Sequence, residues 1–322
     1  MQNNLSSPHK IESNANDLLE EVLKGLGKQQ KKLPTKLFYD EKGSHLFDKI
    51  CELNEYYLTR TENKILKTNI VEITDLIGPE CLLIELGSGS STKIRLLLDH
   101  LIDPSGYIPI DISEEHLSKS VNRLSQEYPY LRIIPVCADY TQEFELPNLD
   151  FNYRNEIIYY PGSTIGNFTP EQAQRFLNRI SKLTLTDGGL LIGIDMKKDR
   201  NTLERAYNDE MNITAEFNLN VLNRLNKELQ TDFNLNQWKH IAFYNDEHGR
   251  IEMHLSSNTD QRVHINGTSV NFKRNETILT EYSYKYSIEE FEELISDTYR
   301  LEKYWTDKDN LFAVLYFKDT HG

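Results

Sequence analysis

Five apolar runs of strand length, at residues 82–86, 107–112, 132–137, 156–160 and 190–194, constrain the fold of this chain more than any other feature. A strand exposed on one face alternates apolar with polar residues, whereas one buried on both faces does not. These runs are nearly continuous in apolar side chains, and amphipathic stretches with helical spacing separate them. The pattern predicts a parallel sheet covered by helices on both sides, an α/β fold. The clearest helix start is Thr169-Pro170-Glu171-Gln172. Thr169 can cap the helix, Pro170 suits the first helical position, and Gln172 can reach back to the cap.

After Met196 the alternation stops. Helical patterns at 202–208 and 214–229 lead into a hairpin at 238–255, turned at 245–249, and then into further strands through residue 286. A helix at 287–296 and a strand at 311–317 resume the first pattern. The sheet domain is therefore read as discontinuous, 61–196 with 286–322, beside a second α+β region built from 13–60 and 197–285. That region opens with a helix at 17–26, whose Leu18, Leu19, Val22, Leu23 and Leu26 share one face before Gly27. Residues 33–60 read as loop-rich, with the aromatics Phe38, Tyr39, Phe47, Tyr56 and Tyr57, and a helix follows at 61–76. The polar first dozen residues are expected to be disordered.

Charge narrows the function classes. With 36 basic against 50 acidic side chains, the net charge of −14 would repel phosphate backbones and anionic lipid, so neither nucleic acid nor membrane is an expected partner. The lysines between Lys28 and Lys36 read as solvated surface. Three cysteines without paired spacing fit a reducing compartment. No signal peptide is evident, and no run of about 18 apolar residues could form a span. A soluble cytoplasmic monomer is expected. The nine histidines are scattered, no metal-ligand cluster is evident, and no metal is expected.

The candidate cofactor site begins at Glu85-Leu86-Gly87-Ser88-Gly89, an acidic residue near the end of a strand followed by two glycines before a helix. Glycine lets the backbone approach a ligand closely at such a turn. Thr92 stands where the dinucleotide fingerprint has its third glycine, which disfavours a nicotinamide cofactor. Asp111 ends the next strand, where a carboxylate can accept both hydroxyls of a ribose. Asp139 and Tyr140 end the third, where acid and ring could hold and cover an adenine. Either acid could instead only start the following turn or helix. Taken together the three resemble a class I S-adenosylmethionine-dependent methyltransferase, which implies a Rossmann-like seven-stranded sheet with an antiparallel strand near its end. After the fourth strand, Gly162 to Asn167 occupies the position from which such enzymes address the acceptor. Asn167 offers a donor and an acceptor from one amide, though an Asn after Gly is also a common turn residue.

Several segments outside the common methyltransferase core carry a more specific resemblance: Leu33-Pro34 with Lys36-Leu37-Phe38-Tyr39-Asp40, Glu55-Tyr56-Tyr57 with Thr59-Arg60-Thr61-Glu62, Gly162-Ser163-Thr164-Ile165-Gly166-Asn167, Arg205-Ala206-Tyr207-Asn208-Asp209, and Thr280-Glu281 with Ser283. The chain resembles the L-histidine Nα-methyltransferases of ergothioneine biosynthesis from about residue 33 to 317. The resemblance implies that Glu281 and Ser283 hold the two imidazole nitrogens. It assigns Tyr56, Asn167 and Tyr207 to the amino acid's polar end, and Tyr39, Phe47 and Gly162 to the surroundings of the amine. It also implies cofactor contacts from Gly87, Lys93, Asp111, Asp139 and Tyr140; at this last position phenylalanine is also accepted in the family. Met253, with Glu281 and Ser283, marks where an enzyme for another aromatic amino acid, such as tryptophan, would differ. Methyl transfer is an in-line displacement at a sulfonium carbon and needs alignment and dryness more than a strong base. Tyr39, through water, is the expected proton path, with Asn167 aligning the amine. The expected product is trimethylhistidine. A methyltransferase for a macromolecule, or a non-catalytic binding protein, stays open at this level.

Overall fold

The computed structural model describes residues 9–10, 15–89, 92–184 and 188–320. In chain order the strands and helices begin with β1 (His9–Lys10), α1 (Ala15–Leu26), β2 (Lys31–Lys32), α2 (Glu41–Glu52) and α3 (Tyr57–Ile77). There follow β3 (Cys81–Leu86), α4 (Thr92–Leu98), β4 (Gly106–Asp111), α5 (Glu114–Glu127), β5 (Val136–Cys137), β6 (Asn155–Tyr160), α6 (Pro170–Ile180) and β7 (Gly189–Asp195). Next come α7 (Arg200–Arg205), α8 (Ile213–Glu228), β8 (Trp238–Asn245), β9 (Arg250–Ser257), β10 (Gln261–Ile265), β11 (Thr268–Phe272) and β12 (Thr277–Tyr284). The chain closes with α9 (Ile288–Ile295), β13 (Tyr299–Thr306) and β14 (Phe312–Asp319). Two compact units result, one of residues 58–197 and 285–320 with β1, the other of residues 15–57 and 198–284.

The first unit is the expected α/β sheet, with eight strands among the described residues where seven were expected, the added one being the two-residue β1. Its strands run in the order β1-β5-β4-β3-β6-β7-β14-β13. β3 through β7 are mutually parallel, and β14 is inserted antiparallel between β7 and β13. Every residue of β3 and β7 is buried, which accounts for their unbroken apolar character. The capping box at α6 is formed: Thr169 Oγ1 accepts from the Gln172 N–H and Gln172 Oε1 accepts from the Thr169 N–H. The sheet order turns around at β3, which pairs with β4 on one side and β6 on the other. Ligands of open α/β sheets bind outside the carboxyl ends of strands at such a switch point.

Three local expectations are corrected. The strand expected at 132–137 narrows to β5, because Pro135 has no N–H for the ladder; only an isolated bridge, Tyr107 with Ile133, precedes it. The stretch expected to be loop-rich contains the 12-residue helix α2, capped by Asp40, whose Oδ1 accepts from the Gly43 N–H at 2.7 Å. His9 and Lys10, expected to be disordered, pair as β1 with β5; the rest of that dozen lies outside the described residues.

The second unit pairs a sheet of order β2-β12-β9-β8 with the helices α2 and α8, and adds the β10-β11 hairpin. The β8-β9 hairpin turns at the expected place, since Asn245 pairs with Arg250. Of the aromatics in residues 33–60, Phe38, Tyr56 and Tyr57 are buried while Tyr39 and Phe47 are half-buried, and Phe38 stacks on Phe217 of α8 with ring centroids 4.4 Å apart. Among the described residues no helix is long and apolar enough to cross a membrane.

Candidate active site

The cofactor candidates gather at the carboxyl ends of the sheet strands in the first unit. Gly87 follows β3 with φ +74° and Gly89 with φ +44°, backbone that L side chains rarely adopt. A Cβ at Gly87 would point at the Tyr140 ring edge, with the hydroxyl oxygen 3.6 Å away. The turn and the aromatic therefore face each other across a space one side chain would fill. Between the two glycines, the buried Ser88 Oγ has no hydrogen-bond partner among the described atoms, and a buried polar atom of this kind calls for a ligand or water. These features fit a nucleoside-bearing cofactor.

Asp111, at the end of β4, accepts from the Gly89 N–H at 3.1 Å and from the Ser113 N–H at 2.9 Å. It thus supports the glycine turn and the entry to α5, as one reading of the sequence had it. A carboxylate has about four lone-pair sites, so these two bonds leave acceptor capacity for ribose hydroxyls. Burial raises its pKa, and its backbone hydrogen bonds oppose that. Asp139 folds back on its own turn, accepting from the Thr141 N–H at 3.0 Å. Tyr140 is held edge-on against Tyr160 at 5.9 Å and tilted on Phe176 at 6.0 Å. Below the turn, Glu85 accepts from the Tyr107 hydroxyl. Burial pushes the Glu85 carboxyl up to about 8, and the Tyr107 hydrogen bond and Lys93 pull it only partly back.

The loop after β6 carries Gly162 at φ +79° and Ser163 at φ +58°, two successive left-handed residues. A Cβ at Gly162 would lie 3.4 Å from Lys93 Nζ, so a cofactor candidate and an acceptor-site candidate adjoin. Ser163 Oγ accepts from the Asp195 N–H at 2.8 Å. Asn167 ends a short 3-10 turn, Thr164–Asn167, and is half-buried. Beneath the loop lies Glu62, whose position in the sequence suggests no role. Its carboxylate is 1% exposed, accepts from the Gly162 N–H at 3.0 and 3.1 Å, and pairs with Lys93. The carboxylate of Asp195 is fully buried against Lys285 at 2.7 Å.

The remaining candidates gather in the second unit. Rings step from Tyr39 to Phe47 at 6.1 Å, from Phe47 to Tyr56 at 6.2 Å, and from Tyr56 to Tyr207 at 6.2 Å, all edge-on. The Tyr207 hydroxyl donates to Ser283 Oγ at 2.8 Å. A serine oxygen that accepts one bond can still donate its own proton to a second partner. Glu281 and Ser283 lie two apart on β12, both nearly buried, opposite Met253 and Ile251 of β9. The ladder shifts register between Leu279 and Glu281, an irregularity of the kind that re-aims side chains beside sites. Both residues follow it, so their common face is preserved. Burial, then Tyr207, Cys51, Glu281 and Tyr39, raise the Tyr56 hydroxyl well above the ordinary tyrosine value. It stays protonated near neutral pH. Among the described residues no group of three or more His, Cys, Asp or Glu could hold a metal ion.

Known proteins align over nearly the whole chain. A histidine N-alpha-methyltransferase from Mycolicibacterium smegmatis is 39% identical over 310 residues, covering 94% of this chain and 95% of its own. The protein of that name from Mycobacterium tuberculosis is 36% identical over 304 residues, 92% of this chain and 93% of its own. Ergothioneine biosynthesis protein 1 from Neurospora crassa is 34% identical over 274 residues, 83% of this chain but 31% of that longer protein. Residues 18–319 match the family described as histidine-specific methyltransferase, SAM-dependent, and the chain belongs to that family.

Proposed function

We propose that the protein transfers methyl groups from S-adenosylmethionine to the α-amino group of free L-histidine, three in succession, giving trimethylhistidine (hercynine) as the first step of ergothioneine biosynthesis. The observation that carries the substrate choice is the pair Glu281 and Ser283 on one buried strand face, with the Tyr207 hydroxyl on Ser283. A carboxylate accepting from one ring nitrogen and a hydroxyl donating to the other match a neutral imidazole. An apolar side chain there would leave both groups unpaired, which costs more than a lost apolar contact. The names and extents of the relatives support the same reading.

The first unit takes the cofactor role, with Gly87, Lys93, Asp111, Asp139 and Tyr140 as its contacts, and the second unit takes the imidazole. S-adenosylmethionine, when bound, supplies an electrophilic methyl on sulfonium sulfur. The chain's residues then have three tasks. Asn167 and Gly162 orient the amine with its lone pair toward that methyl, while Tyr56 and Tyr207 hold the amino acid's polar end. Tyr39 passes one proton to solvent through water before each transfer, first from the ammonium of histidine and then from the mono- and dimethylammonium forms, and the trimethyl product has none left to lose. The rings of Tyr39, Phe47 and Tyr56 stabilise the resulting fixed cation by roughly 0.5–2 kcal/mol. We assign the protein to the cytoplasm as a monomer, consistent with the lack of a disulfide among the described residues and the net charge of −14. Mass spectrometry of the histidine product with excess methyl donor tests the reading. Trimethylhistidine is expected; a reaction that halts at the monomethyl form would refute trimethylation, and no product would refute the substrate.

A further inference from the structure

The Gly162-Ser163 loop is left-handed at two consecutive residues, a conformation an L residue such as Ser163 leaves readily unless its surroundings fix it. One anchor is the Ser163 hydroxyl on the Asp195 N–H. The other is Glu62, on the first turns of α3, with both carboxylate oxygens on the Gly162 N–H and one also on Lys93 Nζ. The sheet makes room for it. A Cβ at Gly193 of β7 would lie 2.2 Å from Glu62 Oε1, so that strand position is open to a carboxylate only because it is glycine. A buried acid that joins a backbone N–H to a lysine over this distance in sequence is not needed by the sheet's own hydrogen bonding.

We propose that Glu62 is a positioning residue: it ties the acceptor loop at Gly162 to Lys93 on the cofactor side, so that the two halves of the transfer geometry are set by one carboxylate. This rests on the histidine methylation proposed above, with Gly162 near the amine and Lys93 near the cofactor. Misplacing reacting groups by about an ångström can cost about a hundredfold in rate while leaving substrate affinity intact. The residues assigned to the imidazole lie in the other unit, so the loss belongs in kcat.

The test uses the full chain with Glu62→Gln, which keeps an acceptor for the Gly162 N–H but loses the ion pair, and Glu62→Ala, which loses both. Turnover of histidine is measured per cofactor site, the sites being counted by calorimetry with S-adenosylhomocysteine, so that loss of folded protein does not enter. Per-site kcat should fall about tenfold in Glu62→Gln and about a hundredfold in Glu62→Ala. The KM for histidine should stay within about threefold in both, and the Kd for S-adenosylhomocysteine should rise about fivefold. Per-site kcat within about twofold of wild type in Glu62→Gln, and in Glu62→Ala where it folds, would overturn the proposal, as would a rise in the histidine KM with kcat unchanged. An unchanged cofactor affinity would overturn the link to Lys93. If the wild-type protein leaves histidine unmethylated, the reaction assignment itself fails; if it is active and the variants equal it, only the role of Glu62 fails.

Discussion

Replacing Glu281 tests the substrate assignment where it is most exposed to refutation. The side chain is 8% exposed, follows the register shift in β12, and shares a face with Ser283, whose oxygen accepts from Tyr207. In that setting a hydrogen bond from a ring N–H to an ionised carboxylate contributes about 1.5–3 kcal/mol. At about 1.4 kcal/mol per factor of ten, Glu281→Ala should raise the histidine Kd by about 10- to 150-fold. Glu281→Gln keeps the shape and a neutral acceptor, and should sit near the lower end of that range. The fold should survive, because a buried carboxylate costs desolvation whose removal offsets the lost contact. Cofactor affinity should stay within about twofold, since the residues assigned to the cofactor lie on the sheet unit. Isothermal calorimetry with histidine in the presence of S-adenosylhomocysteine, and with S-adenosylhomocysteine alone, reads both numbers. Equal losses for the two ligands would make Glu281 a structural residue, and an unchanged histidine Kd would remove the imidazole from β12.

Two further perturbations address the sheet unit. Gly87→Val should abolish measurable S-adenosylhomocysteine binding, because the branched side chain would occupy the space facing Tyr140. Its left-handed φ of +74° adds strain of about 1–2 kcal/mol to folding; unchanged calorimetric affinity in the folded variant would remove the turn from the cofactor site. Glu85, held near 8 by burial, binds a proton in the folded state from about pH 4.5 to 8 that the unfolded chain has released. Its effect on stability is therefore absent below about pH 4.5 and grows unfavourable as pH rises toward 8, by an upper limit of a few kcal/mol. Urea unfolding of the unliganded protein should show that slope reduced in Glu85→Gln, and an identical slope in both proteins would contradict it.

What could be read from the sequence was local or doubly buried. The α6 capping box consists of four adjacent residues whose partners are each other, and β3 and β7 advertise themselves through burial on both faces. β13 escaped because among the described residues it pairs only with β14 and exposes Arg300, Lys303 and Tyr304, so its order comes from a partner strand and not from its own pattern. α2 was obscured because its apolar residues are few, and what orders Leu46, Phe47 and Ile50 is packing in the second unit, with the Phe47 ring against Phe217 of α8. The glycine turn, Asp111, Asp139 and Tyr140 could be placed in the fold from the sequence because each stands at or just after the end of a strand. Glu62 could not: one acid on a helix with mixed faces gives no sign that it is buried under a loop 100 residues away.

The buried Asp195–Lys285 pair has a consequence for how this chain can vary. Residues 198–284 leave the sheet unit after Lys197 and return at Lys285. The departing and returning segments are stitched side by side: the Tyr286 N–H donates to the Asp195 carbonyl, the Lys197 N–H to the Tyr286 carbonyl, and the ion pair closes over them. To the sheet, the long insert is a loop with its ends already joined. Closing a flexible loop of that length costs about 4 kcal/mol, and doubling it adds only about 0.6 kcal/mol. The sheet is therefore nearly indifferent to the insert's length, and the limit on how residues 198–284 can vary lies elsewhere, in β2, which pairs with β12, and in α2, which packs on α8.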